Sequence, residues 1–280
     1  MKHISVITVC YNDIAGLRQT IKSVLSQDYT DYEYIIIDGG STDGSAELIA
    51  GYSEYISYWV SEKDNGVYSA MNKGVEKASG EYCIFMNAGD TFVDNNVLSH
   101  AAPVLCNADL IVGKANMTRN NEIISTVAPP QKISLGFWLY HSVIHQAAFM
   151  RLDSLKERMY DEKLSIVSDW KYMITEYVTG KYDYKSLAFP ICNFDTTGIS
   201  SNNALRMTER ESVIKELLPP MLYKEYRDYQ NLKNLYVNIP FMDTLNEIFK
   251  YRSLVRFLTI FNRYLLKAYK LVMYKNKHVT

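Results

Sequence analysis

The 280-residue chain has only four cysteines, Cys10, Cys83, Cys106 and Cys192, and no two of them form a CxxC pair. That scarcity disfavours a zinc site or a disulfide framework; reduced, mostly buried thiols are expected. No run of about 18 uncharged apolar residues is present, which disfavours a membrane-spanning helix. Met1-Lys2-His3-Ile4 leads directly into a strand-like run without the apolar core of a signal peptide. No GxGxxG follows the first predicted strand, and no glycine-lysine phosphate loop occurs. A dinucleotide enzyme of that type and a phosphate-loop ATPase are therefore disfavoured. Internal repeats and low-complexity tracts are absent as well.

Net charge is also scarce, at −1, but it is unevenly spread. Residues 250–280 hold eight Lys or Arg and no Asp or Glu, so the other 249 residues carry 22 basic and 31 acidic side chains. An acidic body disfavours a nucleic-acid partner. In the tail, Arg252, Arg256, Thr259, Arg263, Lys267 and Lys270 share one face of a predicted helix over about 245–275. Leu254, Phe257, Leu258, Phe261, Leu265 and their neighbours cover the remaining faces. Such a helix suits an anionic membrane interface. It equally suits docking on the body or on a partner protein, with the cations snorkelling outward.

What is present in quantity is apolar periodicity. Ile4 to Cys10, Tyr34 to Ile37, Ile56 to Ser61 and Tyr82 to Met86 read as strands. Ala15 to Ser26 and Val67 to Ala78 read as the helices between them. Further on, Ala108 to Val112 and Ala147 to Leu152 read as strands, 114–132 as a hairpin or irregular excursion, and Lys185 to Asp195 as extended. Ser134 to Ile144, Ser168 to Val178, Leu205 to Leu218 and Tyr223 to Tyr236 read as helices. Strands alternating with helices predict the α/β class, with a doubly wound, mostly parallel, Rossmann-like sheet and a helical C-terminal extension.

Four polar loops fall at the carboxyl ends of the predicted strands, where open α/β sheets bind ligands. They are Tyr11-Asn12-Asp13, Asp38-Gly39-Gly40, Glu62-Lys63-Asp64-Asn65-Gly66 and Asn87-Ala88-Gly89-Asp90. Singly, each could be an ordinary turn. Together they can hold a nucleotide by stacking on Tyr11, by carboxylate contacts to base and ribose, and by a divalent metal on Asp90.

In order and content these segments resemble the family 2 inverting glycosyltransferases of GT-A fold. The resemblance is carried by Ser5-Val-Ile-Thr-Val-Cys-Tyr-Asn12, Ser26-Gln27, Ile36 through Ser45, Ser61 through Gly74 and Gly80 through Asp90. It is strongest for the bacterial polysaccharide-assembly branch, of colanic-acid type, where Asp-Asn-Gly leads into a helix bearing Met-Asn-Lys-Gly. It implies a glycosyltransferase domain over 1–205, with a donor-binding half at 1–115 and an acceptor-binding half at 116–205, followed by the extension at 206–280.

The resemblance also implies roles. Tyr11 would line the donor's base pocket, with Val9 and Asn12 also binding the donor, and Asp38 would hydrogen-bond the base. Asp64 would lie near the ribose and diphosphate, with Lys63 beside it. Asn72 and Lys73 match a helix beside the donor sugar, although Lys73 can equally be a solvated helix lysine. Asn87, Ala88 and Gly89 would border the donor. Asp90 matches the last carboxylate of the family's Asp-x-Asp motif and would hold Mg2+ or Mn2+, with Asn87 and Gly89 where a second acid is often found. Asp169 matches the catalytic base. His145, Gln146 and Trp170 would face the acceptor or the diphosphate. Trp138, Tyr140 and Trp170 can stack on sugar or pack in the core.

The implied reaction moves a sugar from a UDP-, GDP- or dTDP-linked donor to a saccharide hydroxyl, on a lipid-linked acceptor, in bacterial surface polysaccharide assembly. The implied location is the cytoplasm, peripheral at the inner face of the cell membrane. A non-catalytic nucleotide-sugar-binding or assembly subunit is the alternative. A nucleotidyltransferase is disfavoured, since it would bring an N-terminal glycine-rich loop with Arg and Lys.

Overall fold

Every residue of the first strand is buried, as its β-branched composition demands. The computed structural model describes residues 3–119, 122–180, 182–196 and 202–237. The elements begin with β1 (Ile4–Cys10), α1 (Ile14–Leu25), β2 (Tyr32–Asp38), α2 (Ser45–Ala50), β3 (Tyr58–Ser61), α3 (Val67–Lys77) and β4 (Tyr82–Phe85). They continue with β5 (Thr91–Phe92), α4 (Val97–Ala101), β6 (Leu110–Arg119), β7 (Glu122–Val127), α5 (Leu135–Tyr140), β8 (Ala148–Arg151) and α6 (Leu152–Arg158). The last are α7 (Ser168–Val178), β9 (Tyr184–Asp195), α8 (Asn203–Leu217) and α9 (Pro220–Val237).

The strands form one sheet in the order β3-β2-β1-β4-β8-β6-β9-β5, with β7 paired to β6. The first four are parallel to one another. In the second half β6 and β9 are parallel, while β8, β5 and β7 run antiparallel to their neighbours. The α/β, mostly parallel expectation therefore holds, with the antiparallel pairs gathered beyond β4.

Alternation along β1 explains why both faces are covered. Ile4, Val6 and Cys10 join Leu17, Ile21 and Val24 of α1 in one cluster with Tyr34, Ile36 and Ile84. Ile7 points to the opposite face, where α3 lies. A Cβ on Gly74 of α3 would meet Ile7 Cγ2 at 2.5 Å, so only glycine allows that helix so close to the sheet.

The amino end of the sheet is closed by a buried acid. Glu33 accepts from Ser5 Oγ (2.6 Å), the Ser79 backbone N–H (2.5 Å), Ser79 Oγ (3.1 Å) and the Gly80 backbone N–H (3.1 Å). Several of the predicted boundaries shift. The Ile56–Ser61 strand begins only at Tyr58, after a 3-10 turn at Ser53–Tyr55. The Ser134–Ile144 helix stops at Tyr140, because His141 is extended, with φ −130° and ψ 178°. His145–Ala147 forms a single 3-10 turn ahead of β8. Cys10, Cys83 and Cys192 are buried free thiols, and Cys106 is an exposed one.

The chain divides into two units, one ending at Leu217 and the other beginning at Leu218. Helix α8 thus belongs with the sheet-bearing unit. No helix among the described residues is long and apolar enough to cross a membrane. The amphipathic helix expected over 245–275 lies outside the described residues.

Candidate active site

The loops after β1, β2 and β3 converge, and glycine makes that possible. A Cβ on Gly39 would sit 2.6 Å from Asp64 Oδ2 and 3.3 Å from Tyr11 Cδ2. Tyr11 is 67 % exposed, so its ring is available for stacking. Asn12 adopts φ 52° and ties two loops together, donating its N–H to Ser41 Oγ (2.7 Å) and accepting from the Thr42 N–H (2.8 Å). Val9 is buried, and its carbonyl takes the Ala88 N–H. That bond carries the sheet ladder into the 87–90 turn.

Asp38 is fully buried and has three donors: the Ser41 N–H, Ser41 Oγ and Ser61 Oγ. In this structure its carboxylate organises the loops after β2 and β3. Asp64 accepts from the Gly66 N–H (2.9 Å) and so shapes the turn that opens α3. Lys63 is exposed. Lys73 pairs with Glu62 at 2.7 Å. Asn72 is spent on a distant segment: it donates to Tyr160 O and Glu162 Oε1 and accepts from the Tyr160 N–H, each at 2.9 Å.

The turn after β4 is shaped by α1. Gly89 adopts φ 95°, in the left-handed region. Thr20, a polar residue inside the apolar stripe of α1, donates towards the carbonyls of Asn87 (3.1 Å) and Asp90 (2.7 Å) and accepts from the Gly89 N–H (3.1 Å). Asp90 is 4 % exposed. Its Oδ1 accepts from the Asp195 N–H at 3.0 Å, and the Gln146 side chain also hydrogen-bonds it. Burial carries the Asp90 carboxyl up to about 7; those two hydrogen bonds oppose the rise and the Asp195 charge adds to it.

The family resemblance implies a divalent cation here, and the residues fit one. Asp90 is a desolvated carboxylate that gains from a positive neighbour, and Asp195 places a second acid beside it. The buried Asn87 Oδ1 has no hydrogen-bond partner among the described residues. An all-oxygen set of this kind suits Mg2+ or Mn2+. Among the described residues no group of three or more His, Cys, Asp or Glu is arranged to hold a metal, so further ligands must come from the donor and from water.

Across the turn, Asp169 lies in the first turn of α7 and accepts from Tyr68 Oη at 2.8 Å. His145 is buried, with Nε2 2.8 Å from Tyr160 Oη and its ring stacked on Phe85 at 4.7 Å. Burial lowers its pKa, with the Asp169 charge opposing, so the imidazole is neutral. The 3-10 turn therefore sends Gln146 to Asp90 and His145 to the aromatic cluster. Trp170 is placed differently from the expectation of an acceptor contact. It is 2 % exposed, donates Nε1–H to Trp138 O (2.9 Å) and lies under Arg210 at 4.2 Å. Burial in the core, beneath a guanidinium, leaves its ring no open face. Trp138 is fully buried too.

Thr20, Tyr68, Tyr160 and Asp195 were absent from the sequence-based site. Thr20 had a readable signal, a hydroxyl among Leu17, Ile21 and Val24. The other three meet the site only through tertiary contacts; Asp195 is 105 residues from its partner Asp90.

The chain matches the family described as Glycosyl transferase family 2 over residues 5–159, more than half its length. It is 32% identical over 205 residues to an uncharacterised glycosyltransferase of Mycobacterium tuberculosis, covering 71% of this chain and 77% of the relative. It is 26% identical over 207 residues to the poly-beta-1,6-N-acetyl-D-glucosamine synthase of Staphylococcus epidermidis, covering 66% of this chain and 49% of that one. Among solved structures, S. aureus TarS 1-349 in complex with UDP-GlcNAc aligns with TM-score 0.62 at 17% identity, covering 78% of this chain and 65% of that chain. The mannosyltransferase PcManGT from Pyrobaculum calidifontis, in complex with GDP-Man and Mn2+, aligns with TM-score 0.60 at 15% identity, covering 92% and 83%. At such identities the structural likeness speaks for the fold alone, which is GT-A. With a family match over most of the sheet and a relative above 30% identity, this chain belongs to glycosyltransferase family 2.

Proposed function

We propose that this glycosyltransferase moves a sugar from a nucleoside-diphosphate donor to a saccharide hydroxyl with inversion at the anomeric carbon. One observation carries the reading. Gln146 hydrogen-bonds Asp90, and its neighbour His145 in the same 3-10 turn lies near enough to feel the Asp169 charge. One short element thus touches the proposed leaving-group end and lies near the proposed base.

The exposed Tyr11 stacks on the donor base, beside Asp64. Asp90, with Asn87 and Asp195 near it, would hold Mg2+ or Mn2+. When bound, that cation neutralises charge growing on the leaving diphosphate. Asp169 accepts the proton of the acceptor hydroxyl as its oxygen attacks the anomeric carbon. Its position in the first turn of α7 favours the ionised form that a base requires. The bond to the diphosphate oxygen breaks on the opposite face, so no covalent enzyme intermediate is needed.

The acceptor is a saccharide carried on a membrane lipid, and the setting is surface polysaccharide assembly at the inner face of the membrane. Support comes from the cationic amphipathic sequence of 250–280 and from the staphylococcal relative, a polysaccharide synthase. Domain limits of 1–205 and 206–280 are kept as a proposal from the sequence reading; α8 (Asn203–Leu217) crosses that boundary and lies within the compact unit ending at Leu217.

Release of nucleoside diphosphate from UDP-, GDP- and dTDP-sugars, with and without Mn2+, tests the activity. Donor-dependent release that needs the cation is the expected result. Tight donor binding with no release under any condition overturns it in favour of a non-catalytic binding subunit. Liposome flotation tests the tail: full-length protein should float with anionic vesicles and a chain ending near residue 245 should not, and equal recovery refutes the membrane role.

A further inference from the structure

Helix α7 carries the proposed base, yet it has no cap of its own. Its N-cap residue is Val167, whose side chain cannot accept a hydrogen bond. Two other helices hold its start. Glu209 of α8 accepts from the N–H groups of Ser165 (2.7 Å), Ile166 (2.9 Å) and Val167 (3.2 Å), in the segment leading into the helix. Tyr68 of α3 reaches the first turn itself, where its hydroxyl donates to Asp169 Oδ1 at 2.8 Å.

We infer that Tyr68 is a positioning residue for the base: its hydroxyl fixes the Asp169 carboxylate by one oxygen and so presents the other to the acceptor hydroxyl. The inference rests on the reading of Asp169 as the base. Three features support it. Tyr68 is 5 % exposed and its ring is braced by Tyr160 at 5.6 Å, so the hydroxyl cannot wander. Burial, and then the Asp169 charge, hold the phenol's pKa well above the ordinary value, so it stays a donor. Among the described residues, Tyr68 provides the one hydrogen bond to the Asp169 side chain. A carboxylate free to rotate would lose the near-attack geometry that a general base needs.

The charged and titratable groups around this pair are few. Tyr160 and His145 lie beyond Tyr68, Glu209 sits at the preceding backbone, and Arg210 is stacked over Trp170. Tyr68 also stands near the start of the helix bearing Asn72 and Lys73. The contact therefore joins α3, which follows the Asp64 turn, to α7, which bears the proposed base.

The test is kinetic, on the full chain with its donor and acceptor. Tyr68→Phe keeps the ring and removes the hydroxyl. The expected result is a kcat lower by about tenfold, the size of one charge-assisted hydrogen bond, with donor KM within about twofold. A kcat equal to wild type overturns the inference, and so does a proportionate loss of donor affinity, which marks a merely structural role. Should that variant not fold, a second one keeps both ring and hydroxyl. With 2,3,5-trifluorotyrosine at position 68 the phenol is a stronger donor, which draws charge from the Asp169 carboxylate and weakens it as a base. Its kcat should fall at every pH tested while donor KM stays within about twofold. An unchanged kcat overturns the inference. Asp169→Asn separates the two claims. If that variant is inactive while Tyr68→Phe is normal, only the Tyr68 role falls; if it turns over like wild type, the base reading falls and the Tyr68 role with it.

Discussion

Two buried acids stand at opposite ends of the same sheet, and their surroundings differ in kind. Glu33, at the amino end, has four hydrogen bonds from Ser5, Ser79 and Gly80. Asp90, at the carboxyl end, has one backbone N–H and one amide, and it faces a second acid. Glu33 is satisfied by the protein. Asp90 is left in want of positive charge, and Asn87 Oδ1 beside it lacks a partner among the described residues. A satisfied buried acid stabilises the fold, whereas an unsatisfied one is ready for a ligand. Asp38, also at the carboxyl end, is satisfied as Glu33 is, so the contrast singles out the Asp90 turn as the proposed ligand site.

Substitutions can break or sharpen that contrast. The largest effect is expected at the carboxyl end. Asp169→Asn should lower kcat by about a thousandfold, with donor affinity by calorimetry and the melting temperature little changed. Next comes Glu33→Ala, which leaves the Ser79 and Gly80 N–H groups buried without an acceptor. It should cost about 3 kcal/mol and lower Tm by about 10 °C, while the folded fraction keeps its kcat.

Asp90→Asn should act with the opposite sign on stability. Asp90 has its pKa raised to about 7 in the fold against 3.8 for an unperturbed side chain. The folded state therefore binds the proton more tightly than the unfolded chain. Stability from this group is greatest below pH 4 and is lost as pH rises towards 7. Without divalent cation, Asp90→Asn should be more stable than wild type at pH 8 by up to about 4 kcal/mol, and the difference should vanish near pH 4. Thermal melts across that range read it directly. The same variant should lose cation-dependent donor binding. The smallest effect is expected for Lys73→Gln. It breaks a partly exposed pair with Glu62 and should change stability by less than about 1 kcal/mol. A large loss of donor affinity in that variant would return Lys73 to the donor site.

The parallel half of the sheet was legible because β1, β2 and β4 are continuous buried runs bounded by polar turns. The 87–90 turn was legible for the same reason. What was not legible depends on partners far along the chain. Asn72 reads as a donor-side residue until Tyr160, 88 residues on, is seen to use both ends of its amide. Trp170 reads as a sugar platform until Arg210 and Trp138 enclose it. Asp38 reads as a free acid until Ser41 and Ser61 reach it. The end of α5 depended on the backbone at His141, which no side-chain pattern announced.

Gly89 also limits how this turn can change over time. Its φ of 95° disfavours any side chain, and a Cβ there would lie 3.7 Å from both Asp13 Oδ2 and Asp195 Oδ2. An aspartate at 89 would therefore combine backbone strain with repulsion from two acids. Position 87 carries no such backbone strain, since Asn87 is outside the left-handed region, although an acid there would also face Asp90 and Asp195. A two-acid turn is thus reached with less strain through Asn87→Asp than through Gly89→Asp, and Mn2+ affinity measured in those two variants would expose the asymmetry.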